Sequence, residues 1–115
     1  MRSHCSQVVV ENFFEPCVLF LLSKDESYGY ELIRKLNENC RCQVNPGNLY
    51  RNLRRLTKKR YIIKKTVKSA IGPKKFIYGI TDTGRSLLAQ WIAALEKQNQ
   101  AISALIKNYK NYVES

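Results

Sequence analysis

The chain has 115 residues, 44% hydrophobic and 25% charged, a composition too apolar for a disordered tail and a length at which one core buries roughly two-thirds of the unfolded chain's surface. One folded domain is expected. Against 9 Asp and Glu stand 20 Lys and Arg, leaving a formal charge of +11, which points to an anionic partner, either nucleic acid or an acidic membrane surface.

The opening segment "MRSHCSQVVVENFFEPCVLFLLSK" has an apolar run at Val18 to Leu22, interrupted upstream by Glu11, Glu15 and Pro16. It is too short to span a bilayer and lacks the layout of a signal peptide, so a cytoplasmic location with reduced cysteines is expected. Of the 4 cysteines, Cys40 and Cys42 form a C-x-C while Cys5 and Cys17 stand apart, and only His4 could supplement them. That falls short of the paired spacings of a structural zinc site, so no metal is expected. Plain thiols are the default, and a redox role for Cys40 and Cys42 is the alternative. A first helix is expected from Phe13 to Leu22, started or bent at Pro16.

In "SYGYELIRKLNENC", Leu32, Ile33 and Leu36 share one face at helical spacing, with Ser27 as candidate N-cap. Gly29 in the first turn of this second helix marks a point of tight contact or merely frays it. Asn37 to Val44 connect, and then Asn45 as N-cap with Pro46 at the first helical position start a third helix. Leu49, Tyr50, Leu53 and Leu56 follow the spacing of a core face. Asn48, Arg51, Asn52, Arg55 and Lys59 form a second stripe of amide and cationic side chains.

The segments "YIIKKTVK" and "KKFIYGIT" are β-branched and aromatic, with turn-forming "SAIGP" between them, and predict a two-stranded hairpin. Lys64, Lys65, Lys68, Lys74 and Lys75 make it a basic arm. Thr81 or Thr83 can cap a last helix running to Val113, about 45 Å at 1.5 Å per residue. A compact unit of the remaining length is about 30 Å across, so much of that helix needs another partner. Leu88, Leu95, Ile102 and Tyr109 recur at heptad spacing, flanked by Trp91, Leu105 and Tyr112 on one side and Ile92, Ile106 and Val113 on the other. This is a stripe suited to helix–helix packing, and Gln98 and Asn99 interrupt it.

Three helices, a hairpin and a long final helix describe a winged helix-turn-helix (residues 1–81) followed by a dimerisation helix (82–115), a mainly α fold with a two-stranded β-hairpin. In order and spacing, "SYGYELIRKL", "VNPGNLYRNLRRL" and "GPKKFIYGITDTGRSLL" resemble the PadR-like family of bacterial transcriptional regulators, in its smaller form with a single C-terminal helix. The resemblance implies a homodimeric regulator of double-stranded DNA, a repressor on a palindromic operator, with the third helix in the major groove and the wing along the minor groove or backbone. Tyr28, Gly29, Tyr30, Leu49, Tyr50, Gly72, Tyr78, Thr81 and Gly84 match positions that build the family fold.

On that reading Asn48, Arg51, Asn52 and Arg55 read bases, since arginine and asparagine suit bidentate contacts to purine edges. Tyr50, Lys58, Lys59, Lys65, Lys68, Lys74 and Lys75 meet phosphates. Leu88, Trp91, Ile92, Leu95, Ile102, Leu105, Ile106 and Tyr109 form the dimer interface. The resemblance also implies a small aromatic effector between the long helices, contacting Trp91, with a plain core tryptophan as the favoured alternative. Two departures stand out. Arg51 replaces the usual Pro after Leu-Tyr, and Arg60-Tyr61 replaces the usual Gly, leaving the left-handed cap of the third helix without its residue.

No paired acids, nucleophile–base set or Gly-rich phosphate loop suggests an enzyme or a cofactor. The basic faces carry no apolar stripe for membrane insertion. The alternatives are a winged-helix protein–protein adaptor, a non-specific nucleic-acid binder, and a merely solvated basic helix face.

Overall fold

The structure is a computed structural model that describes residues 10–40, 44–68 and 71–115. Its elements run α1 (Val10–Lys24), β1 (Ser27–Tyr28), α2 (Gly29–Cys40), α3 (Pro46–Lys58), β2 (Ile62–Val67), β3 (Lys75–Ile80) and α4 (Asp82–Glu114). The three strands form an antiparallel sheet in the order β1-β3-β2. The fold is mainly helical and of winged-helix type.

Helix α1 starts before the expected Phe13 and passes through Pro16, which neither begins nor ends it. An interior proline costs about 3 kcal/mol. Val18, Leu19, Leu21 and Leu22 of the same helix are all buried, at about 1.5–3 kcal/mol each, so burial outweighs the defect. They meet Leu32 and Leu36 of α2, Leu49, Leu53 and Leu56 of α3, Ile62 of β2 and Tyr78 of β3 in one core.

The expected hairpin gains a third strand. Ser27 and Tyr28 pair with Tyr78 and Ile77, and a strand of two residues is too short for alternation to reveal it. Ser27 is consequently not the N-cap of α2. Its side chain is fully buried and its Oγ accepts from Lys35 Nζ at 2.7 Å. Glu31 completes the helix start instead, its Oε1 accepting from the Tyr28 amide at 3.0 Å, which is half of a capping box.

Helix α3 begins as its sequence dictates, with the Asn48 amide donating to Asn45 Oδ1 at 3.2 Å and Pro46 in the first turn. Its end keeps the left-handed cap without a glycine. Arg60 takes φ 67°, and the amides of Arg60 and Tyr61 donate to the carbonyls of Thr57 and Leu56, both at 3.0 Å. That pair of bonds is a Schellman motif. At the other junction Thr81 caps α4, accepting from the Gly84 amide at 3.0 Å. Helix α4 then runs 33 residues, about 50 Å, and gives the molecule its longest dimension of 68 Å.

Candidate nucleic-acid interface

Leu49, Leu53 and Leu56 fix the inward direction of α3, because all three are fully buried. At about 100° per residue, the opposite direction belongs to Gly47, Arg51 and Lys58, with Arg54 on one flank and Arg55 on the other, all exposed. Asn48, Asn52, Arg55 and Lys59 lie to one side of that line, and Asn52 is half-buried. Arg51 of the sequence stripe lies on the outermost line and its other members lean to one flank; Arg54, outside the stripe, lies on the opposite flank about as far off the line as Arg55. The i, i+3, i+4 count picks one row of side chains; the buried leucines show where the row points.

Tyr50 is not a core residue but sits 40% exposed at the edge of the helix. Its ring crosses Gly29 so closely that a Cβ there would lie 2.9 Å from Tyr50 Cε1 and from the phenolic oxygen. Gly29 is thus the point of tight α2–α3 contact that its place in the first turn of α2 suggests. Tyr78 is buried, and its phenol is pushed above its ordinary pKa by loss of solvent and by Tyr50, and is drawn back by Arg54.

The other flank of α3 is a run of side-chain hydrogen bonds. Arg51 Nη2 donates to Asn48 Oδ1, and Asn52 Nδ2 donates to the Asn48 carbonyl at 2.9 Å. Arg55 Nη2 donates both to Asn52 Oδ1 at 2.8 Å and to Glu15 Oε1 of α1 at 2.7 Å. Glu15 Oε2 in turn accepts from Trp91 Nε1 of α4 at 2.8 Å. One carboxylate thus joins the α3 flank to α4.

On the wing, strand register puts Lys64 opposite Tyr78 and Lys65 opposite Ile77. Lys65 pairs with Glu26 at 2.7 Å, and the Lys75 ammonium stands 6.0 Å over the Tyr28 ring, so both have neighbours within the chain. Lys64 lies 4.2 Å over Phe76. Lys68 and Lys74 are exposed beside the turn that Gly72 makes at φ 101°. Tyr30, stacked on Tyr28 at 5.5 Å and exposed, adds an aromatic surface that counting charges does not reveal.

Helix α4 packs its first turns on the core through Leu87, Leu88 and Trp91, with Leu95 half-buried. Beyond them Ile92, Ile102, Leu105, Ile106 and Tyr109 are exposed, Leu105 by 70%. Cys17 packs part-buried against the core. Cys5, Cys42 and His4 lie outside the described residues, and nothing of the Cys40–Cys42 redox reading bears on the described structure. No helix among the described residues is long and apolar enough to cross a membrane.

The family model of the PadR-like transcriptional regulators matches residues 18–90, from the core of α1 through the wing into α4. The chain belongs to the PadR-like family of transcriptional regulators. It is 31% identical to a PadR-like transcriptional regulator from Bacillus cereus, whose crystal structure superposes with a TM-score of 0.76 over 87% of this chain and 97% of that one. Bacillus subtilis PadR in complex with operator DNA is 26% identical, with a TM-score of 0.63 over 69% of this chain and 46% of its own. A curated relative, a probable transcriptional regulator of Mycobacterium tuberculosis, is 33% identical over 78 residues, and the chain spans 41% of its length.

Proposed function

We propose that this PadR-like protein is a cytoplasmic, DNA-binding repressor that acts as a homodimer on a palindromic operator. The observation that carries the reading is the outward face of α3, with Arg51 and Lys58 at its centre and Arg54 and Arg55 on its two flanks, opposite three buried leucines and without an acid on the helix. Guanidinium groups there suit guanine edges, and the lysines of the wing suit phosphates. The operator-bound structure of a relative, Bacillus subtilis PadR, supports DNA as the partner. Residues 1–81 supply the DNA-binding unit and residues 82–115 the dimerisation helix.

The exposed apolar residues of α4 support self-association, since a helix of about 50 Å with Leu105, Ile106 and Tyr109 open to solvent suits pairing with a second copy. Trp91, half-buried with its N–H held by Glu15, favours a core role over contact with an aromatic effector. Selection of duplexes from a random pool, followed by a mobility shift with liposome flotation as control, tests the reading. Enrichment of one palindromic sequence is expected. Flotation with anionic liposomes without any duplex preference would contradict it, as would binding to neither.

A further inference from the structure

A guanidinium can grip a base or phosphate with two parallel hydrogen bonds along only two edges, one formed by Nη1 and Nη2 and the other by Nε and Nη2. Nη2 belongs to both. In Arg55 that nitrogen has both of its hydrogens committed, to Asn52 Oδ1 at 2.8 Å and to Glu15 Oε1 at 2.7 Å. Arg55 is therefore an exposed arginine on the flank of the reading helix without a free bidentate edge. Arg51 differs, since among the described residues its Nη2 meets only Asn48.

Glu15 is the unusual member of this pair. Its side chain is only 17% exposed, against 45% for Arg55, and its second oxygen accepts from Trp91 Nε1 at 2.8 Å. The carboxylate is thus held in place by α4 while it holds a residue of α3. We propose that Glu15 latches Arg55, that base reading by Arg55 requires release of this latch, and that the release is registered at Trp91 because one carboxylate serves both. The inference rests on the DNA-reading assignment of α3 and adds a positioning residue to it, with a route by which a change on α4 alters the reading helix. The Arg55 end of the pair is 45% exposed, so a nucleic-acid group can reach the guanidinium and compete with Glu15 for it.

The test uses the full chain and the tightest duplex selected from a random pool, with a scrambled duplex beside it. Glu15→Gln removes a negative charge, which strengthens binding to both duplexes alike; loss of the latch acts only on their ratio. Glu15→Gln is expected to raise the selected-to-scrambled affinity ratio by about threefold or more, an interaction large enough to separate from additivity, and the gain should vanish in an Arg55→Ala background. An unchanged ratio, or a gain that persists without Arg55, overturns the latch. The unmutated chain gives a second readout free of any folding defect, since Trp91 is its single tryptophan. The selected duplex should shift Trp91 emission and the scrambled one should not. No shift with a duplex that binds specifically overturns the inference and leaves the DNA-reading assignment standing, whereas a chain that binds no duplex removes both.

Discussion

The hydroxyl of Thr81 lies 2.8 Å from the carbonyl oxygen of Arg60, so the residue that caps α4 also holds the end of α3. The neighbouring Tyr61 carbonyl accepts from the Thr81 amide at 3.1 Å. The end of α3 and the start of α4 are therefore joined directly at this corner, where Arg60 makes its left-handed turn.

Arg60 adopts φ 67°, a conformation that costs a side-chain-bearing residue about 1–2 kcal/mol and glycine only its extra chain entropy of about 0.5–1 kcal/mol. Arg60→Gly is expected to raise stability by about 0.5–1 kcal/mol, the difference between those costs. The urea midpoint checks it, and a lowered midpoint would mean that the Arg60 side chain contributes more than its backbone costs.

Gly84 faces the same corner. A Cβ at this position would lie 2.1 Å from the Tyr61 carbonyl oxygen, a backbone atom that no rotamer change can move aside. Gly84→Ala should destabilise by about 1–3 kcal/mol or more, read by denaturant unfolding. A variant as stable as the parent would show that α4 can slide on the corner.

Much of this organisation is legible in the residues. Asn45 and Pro46 announce the start of α3, the leucines of α3 announce its buried side, and Gly29 announces a close contact that Tyr50 supplies. The parts that stay hidden are of two physical kinds. β1 is two residues long and owes its existence to pairing with β3, so no local pattern encodes it, and with it goes the role of Ser27. Arg54 and Glu15 matter through direction and distance: a row of cations shows on a helical wheel, but the bond from Glu15 to Arg55 joins residues 40 apart in the chain. The Arg60 cap shows the reverse case, a glycine signal that is missing while the geometry it usually marks is present.

Tyr78 gives the fold an alkaline limit. Its pKa is raised above 10.0, first by burial, so the native state holds the phenolic proton more tightly than the unfolded chain does. That contribution is fully present below pH 10 and is lost as pH climbs from the unfolded value through the raised native one. Unfolding free energy should therefore fall with pH above about 10, and Tyr78→Phe should flatten that slope in urea melts at several pH values. An identical slope in the variant would assign it to other groups.

Self-association should depend on the outer half of α4. Replacing Ile102 and Leu105, both exposed in the single chain, with Asp is expected to leave a folded monomer by sedimentation and to weaken binding to a palindromic duplex far more than to a half-site. A double variant that still sediments as the parent would place the contact elsewhere.

The direct test of base reading by α3 is a pair of affinities, for the selected and the scrambled duplex, followed across several salt concentrations. Arg51→Ala and Arg54→Ala should each narrow the gap between the duplexes, by roughly 1–3 kcal/mol if a bidentate contact is lost. Lys68→Ala and Lys74→Ala should weaken both duplexes alike and reduce the salt slope of log K by about 0.9 for each phosphate contact removed. If both arginine variants keep the full gap, the outward face of α3 does not read bases.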